Sequence, residues 1–247
     1  MEFLVVPGLN GLGKTNGVQD SYKQFFNDCK ILDLPRDDVS KQLFEIKTQT
    51  KRFFEMNKFL FFGGDHSISY PLVYNFFKKF GDSGKLIVLD SHPDTMSPMN
   101  EPTHEEWLRA IVEDGFSPKN ILIFGIRRDS ENVDSREISY LLEKGIKFFY
   151  SDEILEFKEF LRSFIKSPLY VSVDVDVFDS SSMPCTGYPE KGGPHEESIF
   201  EILNEISRLK ENLFFDIVEL NFKNCNKKES VISKNNIKKV LKIVGVN

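Results

Sequence analysis

Leu86-Ile87-Val88-Leu89-Asp90-Ser91-His92-Pro93-Asp94 decides how this chain is read: four apolar residues in a row, then three ligand-type side chains two positions apart. A short apolar run of this kind suits a strand buried on both faces of a parallel sheet. Successive side chains of an extended segment alternate sides, so Asp90, His92 and Asp94 point the same way and can converge on one point. Carboxylates at the end of a buried run are costly to desolvate unless something positive meets them.

The pattern occurs three times. Phe59-Leu60-Phe61-Phe62 leads into Gly63-Gly64-Asp65-His66, and Tyr170-Val171-Ser172-Val173 leads into Asp174-Val175-Asp176. Read singly, any of these acids would serve as well as a helix cap or a turn charge. Six of them together at three strand ends, His66, Asp90, His92, Asp94, Asp174 and Asp176, point instead to a shared divalent cation.

Outward from these strands, apolar runs recur near 2–6, 30–33, 59–62, 85–90, 120–126, 146–150, 169–177 and 213–220. Helical periodicity falls between them at 38–57, 68–80, 104–114, 134–144, 152–166 and 196–210, with a last helix near 229–243. This alternation predicts an α/β fold, a three-layer α-β-α sandwich around a mainly parallel, roughly eight-stranded sheet. Ligands of such sheets gather at the carboxyl ends of the strands, where all three clusters fall.

At 247 residues the chain suits one domain, 1–247, and no linker divides it. A net charge of -6 without a basic patch argues against a nucleic-acid partner. No apolar run reaches membrane-spanning length and the start lacks a basic n-region, so a cytoplasmic location without membrane contact is expected. Cys29, Cys185 and Cys225 are odd in number and form no CxxC, which predicts reduced thiols. The 24 phenylalanines lie largely in strand-like or amphipathic stretches and read as core.

Gly8-Leu9-Asn10-Gly11-Leu12-Gly13-Lys14-Thr15 satisfies GxxxxGK[ST], the spacing of a phosphate-binding loop. Asn16-Gly17-Val18 interrupts the helix such a loop needs, and a nucleotide would leave His66, His92 and the Asp174/Asp176 pair unexplained. Two polar, Gly/Pro-rich loops, Pro7 to Asn16 and Asp179 to Pro194, are long enough to be functional.

Oxygen and imidazole donors without cysteine suit Mn2+, with Fe2+, Co2+, Ni2+ and Zn2+ compatible. Four carboxylates and two imidazoles exceed the needs of one ion, whereas two ions sharing carboxylates would use them all and lower the pKa of a water held between them. Hydrolysis is the implied chemistry.

With these residues in place, the chain resembles the ureohydrolase family of arginases, agmatinases and formimidoylglutamases. Its GGDH-Ser motif stands as Gly63 to Ser67, and DAHxD as Asp90 to Asp94 with Ser91 for alanine. The SxDxDxxD motif stands as Ser172 to Asp179, its Gly/Pro-rich continuation as Pro184 to Gly193, and a DxVExN segment as Asp216 to Asn221. The resemblance implies two Mn2+ ions, one on His66, Asp90, Asp94 and Asp174 and the other on Asp90, His92, Asp174 and Asp176. It also implies that a bridging hydroxide, oriented by Asp94, attacks a small guanidino or amidine substrate. His104 would deliver a proton to the leaving amine, and Glu219 would pair with the guanidinium. Read from their own surroundings alone, His104 is equally a surface histidine at a helix start and Glu219 an acid at the edge of the core. Homo-oligomers are common in this family. His195 lies outside every motif and reads as surface.

The departures concern the substrate. Arg128 replaces an aspartate and suggests either contact with an anionic tail or a pairing with Asp129 or Glu131, while Tyr188 replaces a threonine and fills part of the pocket. Agmatine-like amines are the first expectation, arginine the second. A deacetylase-like amide hydrolase, which has tandem histidines, and a non-catalytic metal-binding homologue are the competing readings.

Overall fold

The computed structural model describes every residue except Leu12, Asn224 and Asn247. Seven strands form one sheet: β1 (Glu2–Val5), β2 (Lys58–Phe62), β3 (Lys85–Leu89), β4 (Ile121–Ile126), β5 (Lys147–Tyr150), β6 (Leu169–Asp174) and β7 (Leu213–Val218). They lie in the order β1-β2-β7-β6-β3-β4-β5 with every pairing parallel. The eighth expected strand, near 30–33, contributes a single bridge from Ile31 to Val5. Asp33-Leu34-Pro35 follows it, and a proline cannot donate to a ladder.

Among the described residues, seven α-helices cover the sheet: α1 (Val39–Thr50), α2 (Ser69–Phe80), α3 (Trp107–Glu113), α4 (Ser135–Lys144), α5 (Ile154–Phe164), α6 (Glu196–Ser207) and α7 (Lys227–Val244). Their ends follow local chemistry. Asp134 and Asn226 each open a helix with a capping box, through Glu137 and Glu229, and Gly145 and Gly245 close the same helices in the left-handed conformation.

Alternate side chains of each strand face opposite layers. Leu60, Phe62, Ile87, Leu89 and Phe124 pack against α5, α6 and α7 through residues such as Phe157, Ile202 and Val240. Phe59, Phe61, Leu86 and Val88 pack against α1 to α4 through Ile46, Phe76, Trp107 and Leu141. Phenylalanine does much of this work: Phe124 stacks on Phe157 at 4.2 Å between ring centroids. Truncating such a ring to alanine typically costs about 3–5 kcal/mol.

The strand order decides where the chemistry goes. Phe62 pairs with Ile217, Ile217 with Val173, and Val173 with Leu89, so the ends of β2, β7, β6 and β3 lie in one row at the middle of the sheet. The segments that follow those four strands therefore meet.

The expectation of three reduced thiols is corrected here. Cys185 and Cys225 form a disulfide across 40 residues, with Cα atoms 5.7 Å apart, leaving Cys29 as the free thiol. The tertiary structure brings together two cysteines that sequence spacing keeps apart. The phosphate-loop match leads from β1 only into short 3-10 turns, Gly13–Thr15 and Val18–Gln24, and its Leu12 lies outside the described residues. No α-helix of the described residues follows it to present an N-terminus to phosphate.

Candidate metal centre

Each donor reaches the centre by a local device. Gly64 has φ +71, and a Cβ there would overlap the Val6 carbonyl oxygen, so the chain turns sharply after β2 and delivers Asp65 and His66. Asp90 directly follows β3, and its Oδ1 accepts from the His92 amide at 2.7 Å, curling the following residues back over the strand end. Asp174 does the same at β6, accepting from the Asp176 amide at 2.9 Å. Asp94 and Glu219 adopt φ +51 and +66, a conformation that costs an L-residue free energy and that clusters at functional sites.

Two nests of donors result. His66 Nδ1 lies 3.0 Å from Asp90 Oδ2, 2.8 Å from Asp94 Oδ2 and 3.4 Å from Asp174 Oδ2. His92 Nδ1 lies 3.0 Å from Asp176 Oδ2 and 3.6 Å from Asp90 Oδ1. Asp90 thus presents one oxygen to each nest.

A divalent cation fits this arrangement on the atoms themselves. His66 Nδ1 and Asp90 Oδ2 are buried with no hydrogen-bond partner, although almost all buried polar atoms in folded proteins have one. Burial raises Asp174 well above the ordinary carboxylate range, helped by the charges of Asp176 and Asp90. Burial likewise pushes Asp94 up to about 6, with Asp90 adding to the effect. Burial opposes protonation of His66 and His92, yet the surrounding carboxylates raise both well above the usual histidine value. The cluster draws protons because it lacks positive charge, and two cations would supply it.

Residues that sequence reading gave no role hold the donors in place. His66 Nε2 meets Ser172 Oγ at 2.8 Å, which donates to Asp216 Oδ1 at 2.6 Å. Ser69 and Tyr170 hydroxyls donate to Asp216 Oδ2, each at 2.8 Å, so a fully buried chain fixes the His66 ring with Nδ1 facing the acids. Trp107 Nε1 donates to Asp94 Oδ2 at 2.7 Å. Arg127 donates to the carbonyls of Asp176, Val177 and Phe178 and so pins the loop after β6. Only Ser172 carried a readable signal: it stands two residues before Asp174, on the same side of the strand.

These elements match a known pattern. The family model described as the arginase family matches residues 10–239.

The chain belongs to the arginase family.

Among relatives of this arginase-family chain, an agmatinase of Bacillus cereus is 29% identical over 197 residues, covering 78% of this chain and 66% of that protein. This chain therefore spans just under two thirds of that relative's length. Formimidoylglutamase from Bacillus subtilis shares the fold at a TM-score of 0.82 and 18% identity, over 98% of this chain and 85% of that one. A Trypanosoma cruzi formiminoglutamase solved with Mn2+ superposes at a TM-score of 0.80 and 16% identity, over 99% of this chain and 93% of that one.

Beside the nests of the arginase-family chain stand the expected substrate-side residues. Glu219 is 5% exposed; its Oε1 accepts from the His66 amide at 2.8 Å, while Oε2 is buried without a partner. Burial, reinforced by Asp65, raises its carboxyl to about 8. His104 precedes α3 in a turn and is buried rather than on the surface. Burial disfavours its charge, but Glu105, Glu219, Asp65 and Asp94 outweigh that and raise it to about 9. Tyr188 packs against His104 at 5.9 Å between ring centroids.

His66, His92, Asp94, His104, Asp174, Asp176, Thr186, Tyr188 and Glu219 line a small central cavity. Four of them, His92, Asp94, His104 and Tyr188, also line a mouth of about 520 Å³ together with Glu105, Glu131, Asp134 and Glu137.

Arg128 is not brought there. It is exposed, lies 3.8 Å from the centre of the Tyr150 ring, and pairs with Glu153 at 3.2 Å and Asp152 at 3.4 Å. Its expected contact with a substrate tail is replaced by this surface cluster, because Arg127, its neighbour, takes the inward direction at the end of β4. His195 is exposed and caps α6, as expected of a surface residue.

Proposed function

We propose that the chain is a binuclear-metal ureohydrolase that cleaves a linear C–N bond of a guanidino or amidine substrate, agmatinase-like rather than arginase-like. The observation that carries this reading is Asp90, one oxygen in each nest, with Glu219, whose Oε2 is unpartnered, lining the small cavity that His66 and His92 also line. His66, Asp90, Asp94, Asp174, His92 and Asp176 would hold two Mn2+ ions. When bound, those ions supply Lewis acidity and a water of lowered pKa.

The side chains then divide the remaining work. Glu219 Oε2 accepts hydrogen bonds from the planar guanidinium and sets its central carbon in place, a charge-assisted contact made in a buried pocket. Addition of water to that carbon gives a tetrahedral centre, whose collapse needs a proton on the departing nitrogen. His104 Nε2, 3.6 Å from Glu105 Oε1 at the mouth, is the atom that would deliver it. Breakage of the C–N bond yields a free amine and, from a guanidino substrate, urea.

The mouth favours a cationic tail. Glu105, Glu131, Asp134 and Glu137 line it, and no lysine or arginine is among its lining residues. A protonated amine meets attraction there and an α-carboxylate meets repulsion, which ranks agmatine-like amines above arginine. Tyr188 narrows the passage between mouth and centre.

The test is urea and ammonia release from a panel of guanidino and formimidoyl compounds, with Mn2+, Ni2+, Co2+ and Zn2+ compared. Agmatine-type amines should turn over fastest, and Tyr188→Thr should change the ranking. Two bound ions with no urea or ammonia from any compound would overturn the reading in favour of a non-catalytic homologue.

A further inference from the structure

The segment 8–17, which matches a phosphate loop in sequence, is pinned to three parts of the centre at once. The Asn10 amide donates to Asp65 Oδ2 at 2.7 Å, and the Gly11 amide donates to the same oxygen. Asp65 directly precedes His66. The Asn10 side-chain Nδ2 reaches the other way, to the Pro102 carbonyl at 2.9 Å and the Glu101 carbonyl at 3.4 Å, two and three residues before His104. Asn221, two residues past Glu219, donates from Nδ2 to the carbonyls of Lys14 at 2.9 Å and Asn16 at 3.2 Å.

Gly11 explains why glycine stands there. A Cβ at this position would overlap His104 Nδ1, Asp65 Oδ2 and Thr15 Cγ2 together, so the backbone lies against the imidazole with no room for a methyl group. His104 Nδ1 is buried against it without a hydrogen-bond partner, and the ring is 8% exposed. Two of the motif's glycine-region amides, those of Asn10 and Gly11, are spent on Asp65, so they are not directed at an anion.

We infer that Asn10 and Gly11 are positioning residues: they strap the loop carrying His104 to Asp65 and fix the imidazole beside Glu219. This rests on the proposed role of His104 as proton donor. Asn10 ties the His104 loop to the strand end bearing His66 through directional bonds on both its backbone and its side chain. Gly11 supplies the flat wall against which the ring is set. A displacement of about 1 Å at a reacting group can cost on the order of 100-fold in rate, so loosening this strap should act on turnover rather than on ion binding.

Asn10→Ala and Gly11→Ala test it in the full-length, Mn2+-loaded protein, with two readouts. Turnover should fall roughly 10- to 100-fold with KM changed less than about 2-fold and ion stoichiometry unchanged. Modification of His104 by diethylpyrocarbonate, followed by mass spectrometry, should become several-fold faster in Asn10→Ala. In a His104→Asn background, Asn10→Ala should lower the residual rate no further, since a positioning residue has nothing left to position. Should Gly11→Ala fail to fold, Asn10→Ala and Asn10→Asp carry the test alone.

Wild-type labelling and turnover in Asn10→Ala would overturn the inference, as would an additive loss in the His104→Asn background. So would inorganic phosphate binding that Gly11→Ala abolishes, because the segment would then be an anion loop. If the wild-type protein releases no urea, the proposed function fails, while the labelling comparison still reads the strap.

Discussion

Asp90→Asn separates one shared metal centre from two independent sites. Asp90 Oδ2 lies 3.0 Å from His66 Nδ1 and its Oδ1 lies 3.6 Å from His92 Nδ1, whereas Asp176 is paired with His92, at 3.0 Å, and not with His66. An ion present at about 100 times its Kd stabilises a fold that binds it by roughly 2.7 kcal/mol, so two ions contribute about 5 kcal/mol. In a chain of this size each kcal/mol moves the melting midpoint by roughly 2–4 °C, so Mn2+ should raise that of the wild-type protein by about 10–20 °C. Asp176→Asn leaves the His66 nest and should keep about half of that increment. Asp90→Asn should lose more of it than Asp176→Asn does, because an amide nitrogen has no lone pair to offer, so one nest loses its oxygen and the other keeps only a neutral one. Differential scanning fluorimetry of chelator-treated protein, at a Mn2+ concentration fixed to about 100 times the wild-type Kd, reads the three increments. Calorimetry should return two ions for the wild type, one for Asp176→Asn and at most one, held more weakly, for Asp90→Asn. Equal increments in the two variants would refute the shared carboxylate.

Three further outcomes follow from the geometry. Glu219→Gln should keep both ions yet lower kcat/KM by about 10- to 200-fold, the equivalent of a charged hydrogen bond worth roughly 1.5–3 kcal/mol; steady-state urea release with ion stoichiometry measured in parallel checks this. In ion-free protein His104 should stay protonated until the pH passes about 9, and loading with diamagnetic Zn2+ must lower that midpoint by adding positive charge nearby. Imidazole proton NMR on this chain of 4 histidines follows it, and a midpoint that does not fall would place His104 away from the ions. Arg128→Ala should change kcat/KM by less than about 2-fold and leave the melting midpoint essentially unchanged, since its ion pairs are exposed; a selective loss on substrates with an anionic tail would restore it to the pocket.

The six proposed ligands were legible in the sequence because strand ends impose a spacing of two and because charged residues seldom follow a buried run without a partner, whereas His104 and Glu219 were named only through the resemblance to the ureohydrolases. Asp216 and Trp107 were not legible as supports. Nothing local to either residue says that Asp216 will face Ser172 from the neighbouring strand, or that the indole will reach back 13 residues to Asp94. The Cys185–Cys225 disulfide escaped for the same reason, and Arg128 was misplaced because adjacent residues at a strand end point to opposite sides.

By itself the sequence determined the β/α alternation, the helix caps and the type of donor at each strand end, all set by neighbours a few residues away. Only the tertiary structure decided that β2, β7, β6 and β3 lie side by side in register, which makes three separate acidic clusters one centre with Asp90 between its halves. It also turned a glycine-rich stretch with phosphate-loop spacing into a wall against His104. Strand order and close backbone approach come from long-range packing around a shared core, and no spacing along the chain encodes them.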